Sequence, residues 1–462
     1  MEPLDHRFGG GAQATILHPL VAVAMLVYVA LILFSPRKYT MLPFLLGIFT
    51  IPIGQVVVIA GLHFTVLRIL ILSGLVRCAS APSRQRFAGG FNRIDRVAAL
   101  WALSSFAVFC LQWMDRAALI VSLGDLLDRL GGFLVVRFMI QDKRDLQRTI
   151  KILAVLCLVA GMFMLNEQIT GRNLFGLLGG ISLMPQIRDG HIRSQGAFAN
   201  YIDAGVFAGL LMPLLIWLWS SGRSSRRISA IGIIGAVTMC VTCHSSTALL
   251  ACASGLLGLG LWPLRRHMRS IRGALAATLI GLHLVMKGPV WALIARVDLT
   301  GSSDSYHRYY LVNNCIIHFW NWWLLGTKTY NSWGWDMWDL SDQYVVCAVT
   351  GGLITLVLFI AILSRSFGGI GRARKRVQGN KREEWLLWCL GSTMFAMVMA
   401  YFGCSFMAQM QIELFAFLAM ISVAISEARR TARPKTVVVE TSSLKLTLQP
   451  AAAVEVPVGG IK

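Results

Sequence analysis

Arginine, aspartate and tryptophan gather in two polar stretches of an otherwise apolar chain. The longer, Pro289 to Asp342, holds Arg296, His307, Arg308, Asp336, Asp339 and Asp342, with six tryptophans from Trp320 to Trp338. The shorter, Gly171 to Asn200, holds Arg172, Arg188 and Arg193. A guanidinium grips phosphate or carboxylate oxygens in pairs. Arg193 stands just before a helix expected from Tyr201, and a helix N-terminus attracts anions itself. Gly196 lets the backbone turn sharply there. A structural role inside its own loop would also account for Arg193. Arg188 reads equally as an anion contact or as the local partner of Asp189. In KTYNSWGWDMWDL (Lys328 to Leu340), Trp333, Trp335, Asp336 and Asp339 interleave rings with carboxylates. Rings stack on pyranose faces and carboxylates accept hydroxyl hydrogen bonds, so this segment suits a sugar. An aromatic belt at a membrane surface explains the tryptophans but not the aspartates among them.

The elements that position these residues follow from composition. Hydrophobic residues make up 56% of the 462-residue chain and charged residues 14%, against about 25% charged in a soluble domain. Apolar runs long enough to cross a bilayer recur throughout. The expected spans are 14–35, 42–60, 62–78, 97–113, 118–140, 149–170, 201–220, 228–245, 247–264, 271–288, 343–365, 385–405 and 409–427. The expected fold is therefore an all-α, polytopic membrane protein with about 12–13 transmembrane helices. Residues 1–428 form the integral membrane domain, 289–342 its large extracytoplasmic loop, and 429–462 a disordered tail.

Seven basic clusters, near Arg37, Arg77–Arg96, Lys143–Lys151, Arg223–Arg227, Arg265–Arg272, Arg365–Arg382 and Arg429–Lys435, fall on one side of this span list. By the positive-inside rule that side is the cytoplasm. The N-terminus, Gly171–Asn200 and Pro289–Asp342 then share the opposite side. Arginines kept there need a reason, and an anionic ligand is one. Within the large loop, Tyr309, Val312, Ile316, Phe319, Trp320 and Trp323 recur at helical spacing with Arg308, Asn313 and Asn314 off that stripe. That pattern predicts an amphipathic helix lying in the interface.

Several motifs have ordinary explanations. The net charge of +21 suits cytoplasmic loops facing anionic lipid; no basic soluble domain exists to bind nucleic acid. Cys240 and Cys243 form a CxxC inside an expected helix, where packing explains them. Cys243–Thr247 reads as a polar turn splitting a run too long for one span. Among intramembrane charges, which are expensive, Asp125 and Arg129 are spaced to pair, and Arg68, Asp128, Arg137 and Glu413 look scattered. The first apolar run is too long for a signal peptide and is expected to be retained.

Three stretches resemble the O-antigen ligase/polymerase superfamily of membrane enzymes that handle lipid-linked saccharides. RDGHIRSQGAFANYIDAGVFAGLLMPL (Arg188 to Leu214) resembles its Arg-x-x-Gly-x-Phe loop entering a helix. CHSSTALLACASGLLGL (Cys243 to Leu259) resembles its Ser-rich helix start. Ser305 to Phe359 resembles its large outer loop and re-entry helix. The resemblance covers about residues 160–365. It implies a saccharide donor on undecaprenyl pyrophosphate, with no metal or other cofactor. It further implies that Arg193 and Arg308 hold the pyrophosphate, with Arg188 and Arg296 assisting. Charge developing on that leaving group must be stabilised. The family's histidine before the re-entry helix is missing: Ser341-Asp342-Gln343-Tyr344-Val345 stands there. Asp342, or His307 reaching from the loop helix, would then activate the acceptor hydroxyl, or the activity differs.

The expectation is a metal-independent glycosyltransferase of the bacterial inner membrane. It would polymerise undecaprenyl-pyrophosphate-linked repeat units of an exopolysaccharide or O-antigen at the periplasmic face. Arg193, Arg308, Asp342 and His307 would be catalytic; Arg188, Arg296, Trp333, Trp335, Asp336 and Asp339 would bind substrate. Expected partners are the lipid-linked saccharide, membrane lipid and other polysaccharide-assembly proteins. The rivals are an O-antigen-type ligase and a saccharide exporter. A transporter is expected to show paired broken helices or internal symmetry, and neither is visible.

Overall fold

The computed structural model describes residues 15–82, 87, 89–296, 304–334, 336–406 and 408–431. The tail expected over 429–462 lies outside the described residues except for 429–431, which continue a helix, and Trp335 lies outside them too.

The chain is a helical membrane protein. Its first helices are α1 (Pro19–Phe34), α2 (Arg37–Thr50), α3 (Val66–Ser80) and α4 (Arg93–Trp113). Next come α5 (Arg116–Leu126), α6 (Gly132–Met139), α7 (Lys143–Thr170), α8 (Tyr201–Trp219), α9 (Arg223–Thr242) and α10 (Ser246–Gly260). Then follow α11 (Met268–Val285), α12 (Asp304–Ile317), α13 (Phe319–Trp322), α14 (Gln343–Arg376), α15 (Lys381–Ala400) and α16 (Gln409–Thr431). Among the described residues, six helices (α4, α7, α8, α9, α14 and α16) are individually long and apolar enough to cross a membrane; α1 and α10 are shorter apolar helices. Every expected span overlaps helix, the second only as far as Thr50 and the third only from Val66.

Two small hairpins depart from the all-helical expectation. Val56–Ile59 (β1) pairs with Leu62–Thr65 (β2) across Ala60-Gly61, both at positive φ. A run of β-branched valines next to a glycine that takes left-handed φ prefers a hairpin to a helix. Gln186–Arg188 (β3) pairs with His191–Arg193 (β4) across Asp189-Gly190, an Asp-Gly turn signal.

Apolar side chains alone give helices little reason to associate in lipid, so close contact depends on small residues. A Cβ on Gly161 would come 2.8 Å from the Gly235 carbonyl, bringing α7 against α9. Gly205 and Gly209 face Ala248 and Ala251, bringing α8 against α10, and Gly258 faces Ser392 on α15. The most enclosed spans are α16 and α8, with 94% and 83% of their apolar windows buried, so these two form the axis of the bundle.

One end of the bundle collects the basic clusters. Arg37 and Arg148 both bond Asp145, at 2.7 and 2.9 Å. Arg265 and Arg374 both reach Glu384, at 3.3 and 3.1 Å, and Lys143 pairs with Glu383. Arg77 donates to the Ser35 carbonyl, and Gln147 to Ser225. The common side expected from charge parity is thus a common end. The opposite, loop end gathers both hairpins and the turns that follow α9 and α15.

The expected Asp125–Arg129 pair does not form. Residues Leu127–Gly131 are a π-turn, whose wider winding moves residues four apart off one face. Arg68 instead bonds Asp128 at 3.0 Å and lies 3.7 Å from Asp125. Arg129 turns to the Ser105 hydroxyl and the Trp101 ring.

The large loop is anchored where α14 breaks. Gly352 has φ +66 and ψ −175 inside that helix. The freed groups are met by the loop: Thr327 N–H donates to the Val349 carbonyl at 2.7 Å, and Leu353 N–H to the Trp323 carbonyl at 2.8 Å. A kink inside an apolar bundle requires such substitutes. A Cβ on Gly352 would lie 2.5 Å from the Leu324 carbonyl. The expected amphipathic loop helix is broken after Ile317 and continues as α13 against α14. Ser305, Arg308, Leu311, Asn314 and Cys315 are buried, while Ile316, Ile317, Trp320 and Trp323 are exposed. Of the expected stripe, Ile316, Trp320 and Trp323 face outward while Val312 and Phe319 pack on an inner cluster with Leu311 and Cys315, and Arg308 points into the protein.

Near the basic end, Arg137 and Asp95 are fully buried and 3.4 Å apart, with the Ser422 hydroxyl also on Asp95. Leaving one member of such a pair unmatched costs about 3–5 kcal/mol. Asp95→Ala should therefore lower the denaturation midpoint of detergent-purified protein steeply, and adding Arg137→Met should recover part of the loss.

Candidate functional site

Three helix starts meet at the loop end: α8 at Tyr201, α10 at Ser246 and α14 at Gln343. The turn after α15 stitches them together. Gln343 N–H donates to the Tyr401 carbonyl at 2.9 Å, and its side-chain oxygen accepts from Phe406 N–H at 2.7 Å. The Thr247 hydroxyl donates to the Gly403 carbonyl at 3.2 Å. The Cys404 thiol donates to Asp203 at 3.0 Å.

Arg308 enters this junction from α12. It is 7% exposed and its Nη2 donates to Thr247 Oγ1 at 2.7 Å. Gly403 makes room for it. A Cβ there would lie 2.8 Å from Thr247 Oγ1 and 2.9 Å from Arg308 Nε.

Arg193 enters from the other side, at the end of β4. It is 4% exposed. Its Nη1 donates to the Tyr201 hydroxyl at 2.5 Å, and its guanidinium lies over the Tyr201 ring at 4.7 Å. Its Nε is buried with no hydrogen-bond partner among the described residues. The loop that presents it is held from below. Ser194 N–H donates to the Thr242 carbonyl, while the Glu167 carboxylate accepts from Gln195 and Gly196 amides. Gly196 sits at φ +59, as expected for the turn before α8. That helix is capped by the Asn200 side chain, which accepts from Asp203 N–H.

The Cys243–Thr247 turn stands between the two arginines. Thr247 at its far end bonds Arg308, and His244 near its start lies within the field of Arg193. His244 is at φ +44 and stacks on His191 with ring centroids 4.9 Å apart. Burial pushes its imidazole down, with His191 and Arg193 adding to the effect, which favours the uncharged ring. The helix that follows has no side-chain cap at Ser245. The start of α10, with its partial positive charge, is thus flanked by two buried guanidiniums.

Asp342 completes the group. Its Oδ1 caps α14, accepting from Tyr344 and Val345 amides at 2.7 and 3.0 Å. Its Oδ2 is buried without a hydrogen-bond partner among the described residues. Burial pushes this carboxyl up to about 7, against the pull of the two amides and of Arg308. A carboxylate near that value at neutral pH can take a proton and release it.

The other expected site residues are placed differently. His307 donates through Nε2 to the Asp339 carbonyl at 3.0 Å, with Nδ1 3.8 Å from Asp336. It pins the Trp/Asp segment to α12. Asp336 holds φ +62 in that segment. Trp333 is buried and stacks on His318 at 4.8 Å, so this face of its ring is covered. Asp339 is exposed. Arg188 lies 3.8 Å from Asp189, the local pair that was one of its two readings. Arg296 is exposed at the end of the 3-10 turn Val290–Arg296. The structure thus brings Arg193, Arg308 and Asp342 to one junction, and leaves Arg188 and Arg296 outside it.

Tyr201, Thr247, Gly403 and Asp203 belong to the junction without having been singled out as site residues. Asn200-x-x-Asp203 is a legible capping pattern. Nothing local marks Gly403, whose role depends on chain segments far away in sequence. A scan against protein-family models finds no match for the chain, and a search of curated proteins finds none either.

Gly403→Ala should cost about 1–3 kcal/mol through overpacking, read as a lowered thermal midpoint. Thr247→Ala added to it should restore part of that loss, because it removes one of the two obstructing groups. Strict additivity of the two changes would show that they do not touch.

Proposed function

We propose that this protein is a membrane glycosyltransferase that polymerises saccharide units carried on a polyprenyl pyrophosphate, working at the loop end of its helical bundle. The observation that carries the reading is the pair of buried arginines flanking the uncapped start of α10. Arg193 Nε is buried with no hydrogen-bond partner among the described residues, and leaving a buried guanidinium so is costly. An anionic ligand between Arg193 and Arg308 would offset that cost, and a pyrophosphate has oxygens enough for both and for the α10 amides.

In such a transfer the acceptor hydroxyl attacks the anomeric carbon of the donor sugar. The C–O bond to the pyrophosphate breaks, and the electron pair leaves on the phosphate oxygen. Arg193 and Arg308 would hold that oxygen and stabilise its developing charge. Asp342 Oδ2 would take the proton of the attacking hydroxyl, while Oδ1 stays committed to the helix cap. His307, tied to Asp336 and Asp339, would order the Trp/Asp segment beside the acceptor rather than act as the base. The loop end would then face the periplasm of a bacterial inner membrane, the side opposite the basic clusters.

Arg193→Gln and Arg308→Gln should each lower polymer formation at least a hundredfold while protein remains in the membrane, by analogy with loss of one charge-stabilising donor at about 10²–10³. Normal polymer from both variants would overturn the reading. Activity should rise as pH increases through about 7, because Asp342 accepts a proton only when ionised. Asp342→Asn keeps a cap acceptor and should remove that rising limb along with most of the rate. The product of a deletion strain separates the ligase alternative: single repeat units accumulate if a polymerase is lost, long lipid-linked chains if a ligase is lost.

A further inference from the structure

Arginines at the basic end divide into two sets. Arg37, Arg148, Arg265 and Arg374 each hold a carboxylate. Arg93, Arg96, Arg372, Arg376 and Arg429 have no carboxylate partner among the described residues, yet they line one cleft of about 440 Å³ between α4, α14 and α16. That volume suits a small ligand. An adjoining recess shares Arg93, Arg372, Arg376 and Arg429 with this cleft and adds Arg365, Ile94, Ser422 and Ile425.

Helix dipoles explain only part of this arrangement. Arg372, Arg376 and Arg429 stand in the last turns of their helices, where cations are favoured. Arg93 and Arg96 stand in the first turn of α4, where the dipole opposes a cation. The carboxylate of that turn, Asp95, is fully buried and committed to Arg137, the Asn92 amide and Ser422. Glu427, on α16, is paired with Arg430 at 3.1 Å. The backbone at Gly89, with φ +73, packs so closely on α16 that a Cβ would lie 2.5 Å from Ser426 Oγ, which closes one edge of the cleft. Five like charges from three helices therefore face one space that no carboxylate among the described residues enters.

We propose that this cleft binds a ligand with two phosphate groups and more than one negative charge, either the headgroup of an anionic phospholipid that carries two phosphates or free pyrophosphate. The recess beside it adds a sixth arginine, Arg365, and the Ser422 and Ser426 side chains to the same basic surface. Basic pockets between helices at this end of a membrane protein suit lipid headgroups. The site is at the far end of α14 from Asp342 and is independent of the function proposed above.

The test uses full-length protein in phosphatidylcholine nanodiscs, with and without cardiolipin, and in detergent with pyrophosphate. Bound lipid is counted by native mass spectrometry, and pyrophosphate binding is measured by calorimetry. The variant Arg372→Gln/Arg376→Gln/Arg429→Gln should bind on the order of a hundredfold more weakly. The control Arg223→Gln/Arg226→Gln/Arg227→Gln removes the same charge from exposed residues on α9 and should bind as wild type does. Cardiolipin retention assigns the lipid source, and pyrophosphate binding alone assigns the free one. Equal loss in both variants would reduce the effect to general surface charge and overturn the site, as would failure of the wild type to bind either ligand.

Discussion

A positive charge inside an apolar bundle has to be held, and the loop end of this protein is built around two buried guanidiniums. Arg308 rests on the Thr247 hydroxyl and Arg193 on the hydroxyl and ring of Tyr201. Hydroxyls and rings are neutral partners. They orient a guanidinium without cancelling its charge. The positive ends of α8, α10 and α14 lie in the same region, so the local field has one sign, opposed by Asp342 and Asp203. Arg308 and Asp342 are linked in this way: the arginine pulls the carboxyl down while burial pushes it up.

The same economy of polar groups explains how the loop is held. A broken helix exposes carbonyl and amide groups that lipid cannot satisfy. At Gly352 those groups are met by backbone from Trp323 and Thr327. Breaking α14 thus creates an attachment point for the loop, and the loop in turn carries α12 and Arg308 to the junction. Gly326, Gly352 and Gly403 allow backbone and side chain to pass where a Cβ would collide. Large aromatic residues then seal the outside, with Trp320 and Trp323 exposed on the flank where membrane lipid is the natural surrounding.

Much of the fold was legible in the sequence because membrane insertion is read locally. A run such as Tyr201–Trp219 declares itself by hydropathy alone, and basic residues at one set of helix ends declare the shared face. Arg193 and Arg308 were legible for the same reason: they are cations on the face where cations are unusual. The failures are also physical. Val56–Ile59 is apolar enough for a span, but its β-branched residues and the turn at Ala60-Gly61 favour a hairpin. Asp125 and Arg129 have helical spacing, yet a π-turn between them changes the winding. Trp333 has the type expected of a sugar platform, but His318 covers a face of its ring.

The sequence by itself determined the class of the protein, the position of most of its helices and the common end of its basic clusters. Each of these depends on composition over a turn or a span, which the chain states directly. Tertiary structure alone decided that Arg193 and Arg308 flank the start of α10, that Thr247 and Gly403 form their seat, and that Asp342 divides its oxygens between a helix cap and a buried, unpartnered position. It also decided that five arginines from three helices face one cleft. These arrangements join residues far apart in sequence. Their proximity comes from small-residue packing between helices, which has no signature in the residues that it brings together.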